Sequence, residues 1–299
     1  MKPTSLRPEG VLCIGELLWD VFPNGRHLGG APPNVAVHLR SLGIPSAVAS
    51  RVGEDEAGVA LRAQLAELGM TTDLIQTDPR HPTGLVTVDL SDPQSPRYTI
   101  EQPAAWDFID RTPELAAAAA GSQAIVFGSL AQRNPISRST IRSVLPDGAL
   151  RIFDVNLRPP FDDRRIVEDS LRRSDLVKLN DLELAVMREW FGLPTDDREA
   201  CKALCNNYGC GSICVTRAAN GAALLHRGEW YEHAGCRVQA VDTVGAGDAF
   251  LAALIRGLLM GAEPQEALTV ANGVGAYVAT QPGATPPLDS EEISALIRS

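Results

Sequence analysis

The feature that most limits the fold is a rhythm. Short apolar runs recur along the chain, and stretches with helical patterning stand between them. VLCIG (11–15), AVASRVG (47–53), AIVFGS (124–129), RIFDVN (151–156), LVKLN (176–180) and SICVTR (212–217) read as strands. NVAVHLRSLG (34–43), GVALRAQLAELG (58–69) and DLELAVMREWFG (181–192) read as helices, and each ends at glycine, as helix C-termini commonly do. Strands that alternate with helices of about ten or more residues argue for parallel pairing, with the helices covering both faces of the sheet. The expected fold is therefore α/β: a doubly wound, mostly parallel sheet with helices on both faces.

Two segments break the rhythm. ELLWDVFPNGRHLGG (16–30) and TGLVTVDLSDPQSPRYTIEQ (83–102) are β-rich, with turn signals at Pro23-Asn24-Gly25 and Asp92-Pro93 and no helix inside either. They predict a small β lid outside the main sheet, near the carboxyl ends of parallel strands, where open α/β sheets bind ligands. With 299 residues, 44% of them hydrophobic, the chain can bury a sizeable core. No Gly/Ser linker or internal repeat divides it, so one domain spanning 1–299 with the lid inserted is expected.

Several function classes fall away on composition. The net charge is −10 and no run of five or more Lys/Arg occurs, which removes the electrostatic footprint of a nucleic-acid binder. MKPTSLRPEG has no apolar signal-peptide core, and VLCIGELLW is too short and too interrupted to span a membrane, so no membrane partner and a cytoplasmic location are expected. Cys201, Cys205, Cys210 and Cys214 crowd together without the paired CxxC spacing of zinc knuckles. They read as small core fillers in a reducing compartment, with neither a metal site nor disulfides expected.

The chemistry concentrates at VDTVGAGDAF (241–250), between an apolar run and the amphipathic LAALIRGLLMG. There is no GxxxxGK[ST] P-loop, and no GxGxxG opens a helix after the first strand. Small residues at a helix start admit a ligand close to backbone N–H groups, and the helix dipole favours an anion there. The N–H groups of Val244 to Gly247 are placed to surround an oxyanion. Asp248 should repel it, unless the acid is only a first-turn helix residue or has a task of its own. Phosphoryl transfer to a hydroxyl supplies such a task, because backbone donors stabilise the moving phosphoryl group while a neighbouring carboxylate accepts the alcohol's proton.

Taken together, GGAPPNVAVHLRSLG (29–43), DVNLRPPF (154–161), NDLE (180–183), VTRAANG (215–221) and DTVGAGDAF (242–250) form an ordered set along nearly the whole chain. With them the sequence resembles the ribokinase-like (PfkB) carbohydrate kinases, most closely the fructokinase branch. The resemblance implies an ATP-dependent kinase acting on a sugar, with Mg²⁺ and K⁺ as cofactors. Asp248 would be the catalytic base, and Gly245, Ala246 and Gly247 the anion hole. Asp242, the carbonyl of Val244 and the region around Gly283 would form a monovalent-cation site, although Asp242 also reads as a plain turn acid.

Sugar contacts carry over to Asp20, Gly29, Gly30 and Asn34. The competing readings are an exposed strand acid for Asp20, a hairpin-turn pair for the glycines and an N-cap for Asn34. Asn156 would lie near substrate and phosphates. Arg158 would neutralise the phosphoryl group or hold the acceptor, or else pair with Asp162 or Asp163. Asn180 and Glu183 form a capping-box-like start, and the resemblance adds a water-mediated role toward Mg²⁺. For the nucleotide, Thr216 and Gly221 fit the pattern, whereas Ala218 stands where glycine is usual. Asn272 would line the adenine pocket or face out of its helix.

In the second lid segment, Glu101 and Gln102 stand about where acid-sugar kinases of this family carry Tyr and Arg, with Arg97 preceding them. An acid there favours a neutral sugar, fructose first; ribose, 2-keto-3-deoxygluconate and nucleosides are alternative acceptors. Trp106 would cover a sugar face or anchor the lid. A non-catalytic sugar-binding regulatory protein is the alternative of another class. The lid strands also offer edges for a homodimer.

Overall fold

In the computed structural model of the protein, which describes residues 10–22, 25–89 and 97–298, the strands form a nine-stranded sheet and a four-stranded sheet. The strands are β1 Val11–Ile14, β2 Leu18–Phe22, β3 Gly25–Gly29, β4 Ser46–Gly53, β5 Ile75–Asp78, β6 Gly84–Asp89, β7 Arg97–Ile100, β8 Ala124–Gly128, β9 Leu150–Asp154, β10 Leu176–Asn180, β11 Ser212–Thr216, β12 Ala222–His226 and β13 Glu229–His233. The helices are α1 Ala31–Ser41, α2 Glu56–Glu67, α3 Pro113–Ala120, α4 Pro135–Ser143, α5 Arg164–Leu171, α6 Asp181–Phe191, α7 Asp197–Tyr208, α8 Ala246–Leu259, α9 Pro264–Ala279 and α10 Ser290–Arg298.

The large sheet runs β13-β12-β11-β10-β9-β8-β1-β4-β5. Its strands are parallel from β11 through β5, and β12 and β13 add an antiparallel edge. Successive residues of β1 face opposite layers, as the strand period of two requires. Val11 and Cys13 pack with apolar residues of α1, α2, α8, α9 and α10, whereas Leu12 and Ile14 pack with α3 to α7. Leu61 and Leu65, one turn apart on α2, are both fully buried, a burial of roughly 1.5–3 kcal/mol each. The doubly wound α/β fold is thus present. Cys201 and Cys210 belong to one core layer and Cys214 to the other.

The small sheet runs β3-β2-β6-β7. It consists of two antiparallel pairs, β2/β3 and β6/β7, joined by parallel pairing of β2 with β6. Both sequence segments that broke the rhythm therefore meet in one sheet. The turn signals at Pro23-Asn24 and Asp92-Pro93 lie outside the described residues, as does the side chain of Arg97. Among the described residues, no helix is long and apolar enough to cross a membrane.

Candidate active site

The anion turn is built by a glycine in a conformation that other residues resist. Gly245, the N-cap of α8, has φ 78° and ψ −10°, and a Cβ there would collide with the Ala284 backbone. No side chain caps this helix start. Val244 N–H donates to Asp242 Oδ1 at 3.0 Å and Ala246 N–H to the Thr243 carbonyl at 3.3 Å. Of the four donors expected from sequence, those of Gly245 and Gly247 therefore remain for a ligand; Val244 and Ala246 are already committed. Asp242 also accepts from Gly283 N–H at 3.0 Å, so its carboxylate staples the two ends of the turn region together.

Asp248 lies in the first turn of α8, and its Oδ2 accepts from Asn34 Nδ2 at 2.9 Å, across 214 residues of sequence. Asn34 is inside α1, whose N-cap is Gly30, so the capping reading of Asn34 is wrong: its Nδ2 donates to Asp248 instead. Asn34 Oδ1 is buried without a partner. Burial pushes the Asp248 carboxyl up to about 7; Asp154 adds to the rise, while Lys178, the Asn34 hydrogen bond and Arg158 oppose it.

Gly29 ends β3 and Gly30 starts α1, so they are not a hairpin turn. A side chain at Gly29 would collide with the Asp20 carboxylate, and Gly30, at φ 106°, sits against the Glu16 carbonyl. Asp20 is half-buried rather than an exposed strand acid, and burial raises its carboxyl to about 6 against the pull of Arg158 and His27. Arg158 is exposed and forms no ion pair with Asp162 or Asp163; Asp163 caps α5 and faces Arg165. The field of Arg158 instead opposes the burial-driven rise in the pKa values of Glu16, Asp20 and Asp248. Asn156, just past β9, takes φ 39°, a left-handed conformation that asparagine tolerates better than most residues.

Three groups that sequence reading passed over belong to this site. Glu16, only 2% exposed, lies just beyond β1; its Oε1 accepts from Ala31 N–H at 3.4 Å and its Oε2 has no partner. Burial lifts its carboxyl to about 7. Lys178 on β10 reaches Asp154 on β9 at 3.1 and 3.3 Å, with both side chains buried. A Cβ on Gly247 would stand 3.4 Å from Lys178 Nζ, which places the ammonium directly behind the anion turn. Burial acts to lower the lysine pKa, but Asp154, Glu183 and Asp248 outweigh it and hold the ammonium charged. The available signal was an ionisable residue inside an apolar strand, as in LVKLN, RIFDV and VLCIGE, because such groups are rarely buried unless paired.

Asn180 and Glu183 form the expected capping box: Asn180 Oδ1 accepts from Glu183 N–H and Glu183 Oε2 from Asn180 N–H, each at 2.8 Å. Glu183 Oε1 takes Leu157 N–H at 2.7 Å, tying α6 to the segment after β9 that carries Asn156 and Arg158. Thr216 ends β11 and is half-buried. Gly221, at φ 78°, leaves no room for a side chain because the His233–Gly235 backbone passes against it. Ala218 is left-handed at φ 47°, a conformation that glycine enters freely and alanine does not.

For two further residues, one of the two alternative readings is ruled out. Trp106 is 0% exposed and covers no sugar face; it packs beneath Gly84 at the start of β6, with the Arg133 guanidinium 3.9 Å from its ring centroid. It anchors the small sheet to the large one. Asn272 does not face out of α9: it is 7% exposed and its Nδ2 donates to the Leu268 carbonyl one turn back at 2.8 Å.

A doubly wound sheet with an acid beside an uncapped glycine turn matches what the resemblance to the ribokinase-like carbohydrate kinases implies. The family model described as pfkB family carbohydrate kinase matches residues 13–291. A fructokinase of Escherichia coli is 31% identical over 261 residues, 83% of this chain and 84% of the relative. The fructokinase of Xylella fastidiosa with bound ATP superposes with a TM-score of 0.84 at 25% identity, covering 98% of this chain and 99% of that one. A Vibrio cholerae fructokinase double mutant with fructose, ADP and potassium bound gives a TM-score of 0.82 at 26% identity, covering 98% and 100%. The chain belongs to the pfkB family of carbohydrate kinases and is a sugar phosphotransferase.

Proposed function

We propose that this kinase transfers the terminal phosphoryl group of ATP to a primary hydroxyl of a neutral sugar, fructose first, with Asp248 as the base. The observation that carries the reading is the Asn34–Asp248 hydrogen bond, which joins the helix behind the Gly29-Gly30 turn to the helix behind the anion turn. Asp248 takes the proton of the attacking hydroxyl, and the N–H groups of Gly245 and Gly247 face the charge that gathers on the phosphoryl group. Lys178 supports that turn from behind, and Arg158 supplies positive charge from the open side. Asp20, Gly29, Gly30 and Asn34 bind the sugar; Asn156 meets both substrates; Thr216, Gly221, Asn180 and Asn272 serve the nucleotide. The small sheet acts as the lid.

Both ions implied by the family suit the donors present. Each Glu183 oxygen already accepts one N–H, leaving lone pairs suited to water around Mg²⁺ rather than to direct ligation. Asp242 is likewise engaged twice, so it offers a monovalent cation its charge beside the carbonyl oxygens of Val244 and the Gly283 segment. When bound, the metal neutralises phosphate charge.

A neutral acceptor is favoured because the exposed Arg158 is already shared among the carboxyl groups of Glu16, Asp20 and Asp248, so a substrate carboxylate has to compete with them for it. ADP release over fructose, ribose, 2-keto-3-deoxygluconate and a nucleoside tests the assignment, with fructose expected to give the highest kcat/KM. Sugar-dependent thermal shifts without turnover would replace the kinase by a sugar-binding regulatory protein. The end strands β3 and β7 of the small sheet are the surfaces through which a homodimer would pair.

A further inference from the structure

His38 is fully buried on α1, one turn beyond Asn34, and has no part in the chemistry described above. Its Nε2 lies 2.9 Å from the Ala284 carbonyl oxygen, and its Nδ1 is buried without a partner. A carbonyl only accepts, so Nε2 must carry the proton; the neutral ring then leaves Nδ1 bare. Ala284 is the residue whose backbone fills the space over Gly245, and the preceding Gly283 N–H is held by Asp242 at 3.0 Å. The 283–284 segment is therefore gripped from two sides, by the turn's own Asp242 and by the helix that carries Asn34. Residues four apart share a helix face, so one face of α1 makes both contacts: Asn34 to the acid of the turn, His38 to the backbone that shapes it.

We propose that His38 is a positioning residue whose Nε2–H fixes the Gly283–Ala284 segment against Gly245, so that α1 sets the shape of the anion turn as well as the place of Asp248. The effect on turnover rests on the function proposed above; the effect on the turn does not. His38→Met keeps bulk and helix propensity but removes the donor, whereas His38→Gln keeps a donor of similar reach. In amide hydrogen exchange, the hydrogen-bonded N–H groups of Asp242, Val244 and Gly283 are expected to lose about tenfold protection in the Met variant, and the Gln variant to stay near wild type. With fructose and ATP, kcat in the Met variant should fall about tenfold with the sugar KM within about twofold, and Gln should restore it.

Equal exchange in wild type and the Met variant overturns the proposal, as does equal damage from Met and Gln. Ring-nitrogen NMR of the wild-type protein provides a readout that needs no variant: an Nδ1-protonated His38 overturns the assignment, and an Nε2-protonated ring supports it. If wild type phosphorylates no sugar, the kinase reading falls while the exchange and tautomer results still decide the role of His38.

Discussion

Replacing Asp248 by Asn should cost rate and add stability, and the two effects have one origin. The side chain keeps its shape, and Asn34 can still donate to an oxygen at position 248, but no base remains. Loss of a positioned base removes about 10²–10⁴-fold from kcat, or roughly 3–5 kcal/mol of transition-state stabilisation. Stability moves the other way because burial and Asp154 raise the carboxyl from 3.8 to about 7 in the folded protein. Well below pH 3.8 both folded and unfolded chains are protonated and the acid costs nothing. As pH rises toward 7 the unfolded chain ionises first, so folding loses stability across that window, and the full cost holds above it.

The ceiling on that cost is about 4 kcal/mol at 1.36 kcal/mol per pH unit, and partial exposure with solvent screening reduces it to about 1–2 kcal/mol. Asp248→Asn should therefore melt a few degrees higher than wild type at pH 8, with the gap narrowing as pH is lowered toward 5. Urea unfolding across pH, together with an ADP-release assay, measures both effects. A variant that retains more than about a tenth of the wild-type rate refutes the base; a stability gap that does not change with pH refutes the raised carboxyl.

Other substitutions test separate parts of the structure. Lys178→Met strands the buried Asp154 carboxylate and should destabilise the fold by about 3–5 kcal/mol, much of it recovered by adding Asp154→Asn, as chemical denaturation of the single and double variants would show. Ala218→Gly relieves a left-handed alanine worth about 1–2 kcal/mol, offset by about 0.4–1 kcal/mol of unfolded-state entropy, so the midpoint should stay level or rise; a clear fall contradicts the reading. Trp106→Phe should lower the melting temperature while leaving the sugar KM within about twofold, because the ring touches the small sheet's root and not the cleft; a large KM change would return Trp106 to the sugar site. Asp20→Asn should raise the sugar KM severalfold with little loss of stability, checked by kinetics beside a melting curve.

Local patterning was enough to establish the layered α/β fold, the two β-rich insertions, the glycine turn with its acid, and the Asn180–Glu183 cap, because each depends on neighbours a few residues apart. Tertiary structure alone decided which side chains meet. Asn34 reads as a sugar contact or a cap, and only the fold brings Asp248, 214 residues away, to its amide. Trp106 reads as an aromatic free to stack on a ligand until Gly84 closes over it. Glu16, Asp154, Lys178 and His38 look like isolated polar residues in apolar segments, and their partners lie on other strands, helices and loops. The physical reason is range: backbone propensity and hydrophobic period act along the chain, whereas burial, ion pairing and hydrogen-bond satisfaction act through space and exist only once the sheet has brought distant segments together.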